Sequence, residues 1–351
     1  MSDLLLTPVP AARFGLPADT FSACLGYATD SLPVFSRTRI PVVNPRHFFT
    51  LEHCRTLSLW WRLSRGEPLY ISGPSGSGKT STALQFCARL GMPVVSVTAR
   101  ARMDRRELIG HWSVRGGETV WVDGPALLAW KFGWVLLINE FSAAPADMWV
   151  SCNDILEGLP IDNEATGLLV ERHPMTRVIV TDNTRGHSAE IDDGFFGRQI
   201  QDRSVIDRFW HLRMEGLAEA DEARLLEAET PEHLRAVHRP ETLARLCRAL
   251  AKAGADSRAA ARTQAIGFES HAVPLSFRTL TRLRDMILAS AAEGGESGRE
   301  GLLRLVRTAF TEALDSTARE TAETLLVTAI GRIPGDLRRS VRASSDQKEA
   351  A

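Results

Sequence analysis

The feature that most constrains this chain is an eight-residue run, Gly73-Pro-Ser-Gly-Ser-Gly78-Lys79-Thr80, which fits the pattern G-x-x-x-x-G-K-[ST]. An apolar run, Leu69–Ile71, precedes it and residues with helical spacing follow it, which is the strand–loop–helix setting the pattern needs. The glycines let backbone N–H groups turn inward around phosphates, and the N-terminus of the following helix adds partial positive charge. Lys79 is placed to reach the outer phosphates of a nucleotide, and the Thr80 hydroxyl to ligate magnesium. Only four of the 42 basic residues are lysines, Lys79, Lys131, Lys252 and Lys348, so a lysine inside a motif is informative. The predicted cradle comprises Gly73, Pro74, Ser75, Gly76, Ser77, Gly78, Lys79, Thr80 and Ser81, with ATP and Mg2+ as its ligands.

Around this loop the pattern is that of an α/β domain. Short apolar runs, rich in β-branched residues, occur at Leu69–Ile71, Val94–Val97, Val135–Ile138 and Val178–Val180, with a last strand expected at Trp210–Met214. Runs of this length and content suit buried parallel strands. Helical spacing at 51–63 precedes them and at 79–90, 124–132 and 146–157 separates them, which predicts a three-layer domain built on a parallel sheet. Beyond about residue 215 the chain becomes rich in Ala, Leu, Arg and Glu, and helices are expected at 219–229, 240–253, 277–291, 299–315 and 317–330. Pro231 and the Gly254 region read as breaks, and Gly294, Gly295 and Gly298 as a link. The expected organisation is an extended N-terminal arm (1–48), an α/β nucleotide-binding core (49–215), a helical lid with C-terminal helices (216–335) and a polar tail (336–351).

A phosphate loop alone does not say what the nucleotide is for. The strand Trp134-Val-Leu-Leu-Ile-Asn139-Glu140 ends in polar groups where a Walker-B acidic pair is expected. Glu140 can polarise an attacking water, and the residue before it supports magnesium. That residue is Asn139, which keeps an oxygen acceptor without the charge of an aspartate. The next strand ends Thr181-Asp182-Asn183, and an asparagine there can hold the lytic water or sense the γ-phosphate.

Together with a later Asp207-Arg208-Phe209, these motifs fall in the order and approximate spacing of AAA+ ATPases of the MoxR group, and the chain most resembles the ATPase subunit of aerobic cobaltochelatase (CobS-like). The likeness runs from Phe14-Gly15-Leu16-Pro17 to about residue 290. Asp104–Gly110 followed by Gly116–Pro125 looks like that group's β-hairpin insertion, and Gly194-Phe-Phe-Gly197 looks like the approach to its arginine finger. Pro274-Leu-Ser-Phe-Arg278 resembles the second-sensor motif of the lid, with Phe277 where the family has proline. The resemblance implies an AAA+ fold and a ring, usually a hexamer, with nucleotide at the subunit junctions. Arg208 would then be the finger offered to a neighbouring subunit, with Arg203 as the alternative, and Arg278 would read nucleotide from the lid. It further implies a partner protein with a von Willebrand-type domain and, in a chelatase, metal insertion.

Composition narrows the remaining classes. A net charge of −1 and the lack of a basic tail argue against a nucleic-acid motor. No apolar stretch approaches the roughly 20 residues of a membrane span, and the Met-Ser-Asp opening lacks a signal-peptide pattern, so a cytoplasmic protein is expected. The five cysteines are scattered without a Cys-x-x-Cys pair and read as reduced core residues. Trp60, Trp61, Trp130 and Trp134 read as packing residues, and the nine histidines lack metal spacing. The arginines at 100, 102, 105 and 106 form either a solvated face or a contact surface. Two readings follow: a ring-forming ATPase that remodels or activates a partner, and a nucleotide-gated switch that hydrolyses weakly.

Overall fold

The computed structural model describes residues 5–184, 199–265, 273–293 and 298–331, without the side chains of 262–265. Gly194–Gly197, Gly294, Gly295 and the tail from Arg342 lie outside the described residues. The chain forms two compact units, 1–215 and 216–351.

The first unit opens with a strand pair, β1 (Leu6–Val9) and β2 (Cys24–Tyr27), antiparallel with Leu6 opposite Tyr27. The segment read as an extended arm thus carries a small sheet of its own, and it is anchored in the core. Phe14, Cys24, Tyr27 and Leu32 are buried there, and the Phe14 ring lies 5.6 Å from Phe49 and 5.3 Å from Phe86. Two contacts fix β2: Tyr27 N–H donates to Leu90 O at 3.0 Å, and the Trp61 indole donates to Leu25 O at 2.8 Å. Gly26 is required at this contact, because a Cβ there would stand 2.1 Å from Leu90 O.

The central sheet follows: β3 (Leu69–Ser72), β4 (Val94–Thr98), then a hairpin of β5 (Gly110–Arg115) and β6 (Glu118–Asp123), then β7 (Val135–Asn139). A second hairpin, β8 (Ile161–Asn163) and β9 (Leu168–Val170), precedes β10 (Arg177–Asp182) and β11 (Trp210–Arg213). Five strands pair in parallel in the order β11-β3-β10-β7-β4. Side chains alternate between its faces. Leu136, Ile138, Val178 and Val180 pack with Trp130, Trp149 and Ile155, from helices Pro125–Phe132, Ala146–Val150 and Asn153–Glu157. Val135, Leu137, Ile179 and Ile71 pack on the other face with Leu57, Trp60 and Phe86, from helices Leu51–Leu63 and Lys79–Arg89. The result is the expected three-layer α/β fold on a parallel sheet. The helix expected over 146–157 is two short helices, turned at Ser151–Cys152. The hairpin insertion turns on Gly116 and Gly117, both at positive φ, and pairs Trp112 with Trp121.

The second unit is all helical among its described residues. Its helices are Glu219–Ala228, Glu232–Val237, Pro240–Ala265, Phe277–Glu293, Arg299–Ala309 and Ser316–Ile330. Their apolar faces meet in a core that includes Leu226, Leu250, Leu283, Ile287, Leu302 and Leu326. Gly254 does not break its helix, contrary to expectation. A Cβ at Gly254 would lie 2.8 Å from Leu280 Cδ1, so the glycine admits the neighbouring helix at close range.

Candidate functional site

The parallel register brings the motifs to one edge of the sheet. Ser72 stands beside Asp182, and Thr181 beside Asn139, at the carboxyl ends of β3, β10 and β7. Ligand sites in open α/β sheets form beyond those ends. Strand β10 lies between the phosphate-loop strand and the strand of Asn139, so Asn183 emerges between Lys79 and Glu140.

The loop from Gly73 to Gly78 is built on positive φ at Gly73 (153°), Gly76 (76°) and Gly78 (87°). At Gly73 a Cβ would approach Met214 O to 2.0 Å. Lys79 is buried, and its ammonium donates to Gly73 O (2.7 Å), Pro74 O (2.8 Å) and Asn183 Oδ1 (2.8 Å). The Ser77 hydroxyl is buried without a hydrogen-bond partner, an orphan donor inside the loop that a phosphate oxygen would satisfy. The residues present therefore fit a nucleotide phosphate.

Asn139 Oδ1 accepts from two hydroxyls, Thr80 Oγ1 at 2.9 Å and Thr181 Oγ1 at 3.0 Å. The Thr80 proton thus points at Asn139, leaving the lone pairs of Thr80 for a cation. This donor set, a hydroxyl oriented by an amide oxygen, suits magnesium held largely by phosphates and water. Among the described residues no group of three or more His, Cys, Asp or Glu side chains could hold a metal. Glu140 follows at φ 59° and ψ 44°, and it is the one non-glycine with positive φ among the described residues. Left-handed backbone at such a residue stores of order 1–3 kcal/mol and persists only where its surroundings enforce it. Asn183 Nδ2 donates to Glu140 Oε2 at 3.3 Å, completing a chain from Lys79 through Asn183 to Glu140.

Ser75 and Ser81 are exposed at the rim. The Ser81 hydroxyl lies 3.2 Å from His47 Nδ1, and burial together with the Arg89 charge lowers His47 to about 4, so its ring is neutral at pH 7. Arg208 does not point freely outward. Its Nε donates to Glu157 Oε1 at 2.7 Å, and its guanidinium also bonds Ser204 O. Arg203 is exposed. Arg278 is exposed on the first turn of helix Phe277–Glu293 in the second unit. The segment before it is pinned within that unit, where Leu275 N–H donates to Ser257 Oγ (3.0 Å) and Arg258 donates to Leu275 O (3.1 Å). In the arginine-rich stretch, Arg105 forms a two-pronged bond to Asp154 at 2.5 Å and Arg100 pairs with Glu107.

Sequence reading missed Tyr70, Ser142, Asp182 and Thr184, which bond one another directly behind this edge. The one available signal was Asp182 itself, a charged residue at the end of an apolar strand and directly before Asn183, already singled out.

Residues 68–198 match the AAA domain of the dynein-related subfamily. Protein NorQ of Paracoccus denitrificans is 34% identical over 119 residues, which is 33% of this chain and 43% of NorQ. Protein CbbQ of Hydrogenophilus thermoluteolus is 28% identical over 128 residues, covering 36% of this chain and 47% of CbbQ. Midasin of Dictyostelium discoideum is 25% identical over 170 residues, 47% of this chain but 3% of midasin. Among solved structures, NtrX from Brucella abortus aligns at 18% identity and a TM-score of 0.43 over 70% of this chain and 52% of that one. The chain spans less than half the length of NorQ and of CbbQ. The likeness to AAA+ ATPases of the MoxR group stands, carried by the AAA-domain match over residues 68–198 and by NorQ and CbbQ. These matches lend no support to the narrower CobS-like assignment. Among the described residues no helix is long and apolar enough to cross a membrane.

Proposed function

We propose that the protein is a ring-forming ATPase, most simply a hexamer, that couples ATP binding and hydrolysis to remodelling or activation of a partner protein in the cytoplasm. The observation that carries this reading is the hydrogen-bonded chain Lys79–Asn183–Glu140 at the mouth of the phosphate loop. It joins a phosphate-binding cation to a carboxylate able to take a proton from water. Gly73–Ser81 cradles the triphosphate, with Lys79 neutralising it. Thr80 would hold magnesium, with Asn139 orienting its hydroxyl; the ion, when bound, offsets phosphate charge. Glu140 orients the water and accepts its proton, and Asn183 fixes the direction of that carboxylate. Arg208, released from Glu157, serves the nucleotide of the adjacent subunit, and Arg278 couples the helical unit to nucleotide state. A von Willebrand-type partner, and a cobaltochelatase-like complex as one setting for it, remain within this proposal by family resemblance.

The test is ATP hydrolysis by the purified protein with and without single-stranded DNA, together with sedimentation with and without ATP. DNA-independent hydrolysis and an ATP-dependent larger species support the proposal. Hydrolysis that depends on DNA, or a monomer under all conditions, refutes it. One observation favours a second reading: Asn139 supplies no charge to the metal, which suits a weakly hydrolysing switch. Tight ATP binding with turnover near background would select that reading.

A further inference from the structure

Behind the Lys79–Asn183–Glu140 chain lies a carboxylate that the reaction as outlined does not use. Asp182, 1% exposed, ends β10. Its Oδ1 accepts from Ser142 Oγ at 2.9 Å and from Asn183 N–H at 2.8 Å. Its Oδ2 accepts from Tyr70 OH at 2.7 Å, Thr184 Oγ1 at 2.8 Å and Ser142 N–H at 3.3 Å. A buried carboxylate is tolerated when donors fill its oxygens, and here the donors come from three segments. Tyr70 belongs to β3, which leads into the phosphate loop. Ser142 sits two residues past Glu140, and Asn183 and Thr184 begin the loop after β10. Both donors of Ser142, its backbone N–H and its hydroxyl, end on Asp182, so the turn that carries Glu140 at φ 59° is tied to this carboxylate.

We propose that Asp182 is the positioning residue for ATP hydrolysis, holding Glu140 in its left-handed conformation and Asn183 in line with it. Asp182 itself touches no substrate. The inference rests on the ATPase reading above and deepens it. It also explains why a strained backbone at Glu140 persists, since Asp182 over-determines the residues on either side of the water-activating carboxylate.

Asp182→Asn tests the proposal without changing shape. A hydroxyl can rotate to accept from the new NH2 group, but a backbone N–H cannot reverse. Whichever way the amide turns, it confronts either Asn183 N–H or Ser142 N–H. The expected result is a kcat about a hundredfold lower, the scale of a misplacement near 1 Å, with ATP affinity within about threefold of the parent, a kcat-against-KM split. Ser142→Ala removes one donor and leaves four, so it should fold with a Tm near the parent while losing about tenfold in kcat. The double variant should lose no more than Asp182→Asn alone, because both act through the same contact. If Asp182→Asn does not fold, Ser142→Ala decides. Full kcat in Ser142→Ala, or ATP affinity falling in parallel with kcat, overturns the proposal. Failure of the parent protein itself to hydrolyse ATP overturns the ATPase reading and this inference with it, whereas a hydrolysing parent with indifferent variants overturns this inference alone.

Discussion

Removing the amide of Asn183 should tighten ATP binding while slowing hydrolysis. An ammonium group has three N–H donors, and those of Lys79 are directed to Gly73 O, Pro74 O and Asn183 Oδ1. To reach a phosphate, Lys79 must release one of these acceptors. The two carbonyls belong to the loop that shapes the site, so the side-chain amide is the acceptor that can yield without deforming it. Asn183→Ala therefore deletes a bond that the nucleotide-bound state has already given up. A hydrogen bond to a charged group contributes about 1.5–3 kcal/mol, and water recovers part of that, leaving a net change of about 1 kcal/mol. That corresponds to ATP binding about fivefold tighter. The same substitution removes the 3.3 Å contact from Nδ2 to Glu140, and kcat should fall by about a hundredfold, within the range for loss of an aligned general base. Isothermal titration with Mg-ATP and steady-state phosphate release measure the two effects separately. ATP affinity weakened tenfold, or an unchanged kcat, would refute the reasoning.

Four further outcomes are expected. Lys79→Ala should abolish ATP binding with its circular dichroism spectrum unchanged, since the ammonium bonds loop carbonyls and Asn183; wild-type affinity would count against the phosphate-loop assignment. Glu140→Gln should retain ATP and sediment with it as a larger species, and a monomer with and without ATP would contradict ring assembly. Asn139→Asp should lower the magnesium concentration for half-maximal ATPase rate, because a carboxylate in place of the amide offsets cation charge at short range; unchanged or worse magnesium dependence would show that repulsion with Glu140 dominates. Gly26→Ala places a Cβ 2.1 Å from Leu90 O and should cost about 2 kcal/mol. Thermal unfolding should then show a Tm roughly 5 °C lower, and an unshifted Tm would mean that the contact is not rigid.

The parts of this molecule legible in the sequence are those in which neighbours along the chain determine the outcome. The strands around Leu69, Val94, Val135 and Val178 stood out because each contains a short apolar run bounded by loop residues. The phosphate loop stood out because its glycines and lysine act within eight residues. The N-terminal strand pair did not, since each strand has four residues and its buried partners lie in later helices. Gly254 looked like a helix end because a glycine costs about 1 kcal/mol in a helix interior. Packing against Leu280 from the next helix outweighs that cost. Arg208 shows the same limit: its bond to Glu157 joins residues 51 positions apart and follows no spacing rule.

The carboxyl edge of the sheet also shows how charge is distributed between neighbouring strands. Asn139 ends one central strand as a neutral acceptor for two threonine hydroxyls. Asp182 ends the adjacent strand as a carboxylate with five donors upon it. The charge absent from the metal side is thus present one strand away, turned inward, where it organises backbone instead of neutralising a cation. Glu140 stands between them, linked to the second through Asn183 and Ser142. On the proposed reading, the consequence is a site that would hold its metal weakly and its attacking water rigidly. In such a site, on the proposed ATPase reading, ATP binding would depend on Lys79 and the loop amides, and the rate of hydrolysis on how firmly Glu140 is aimed.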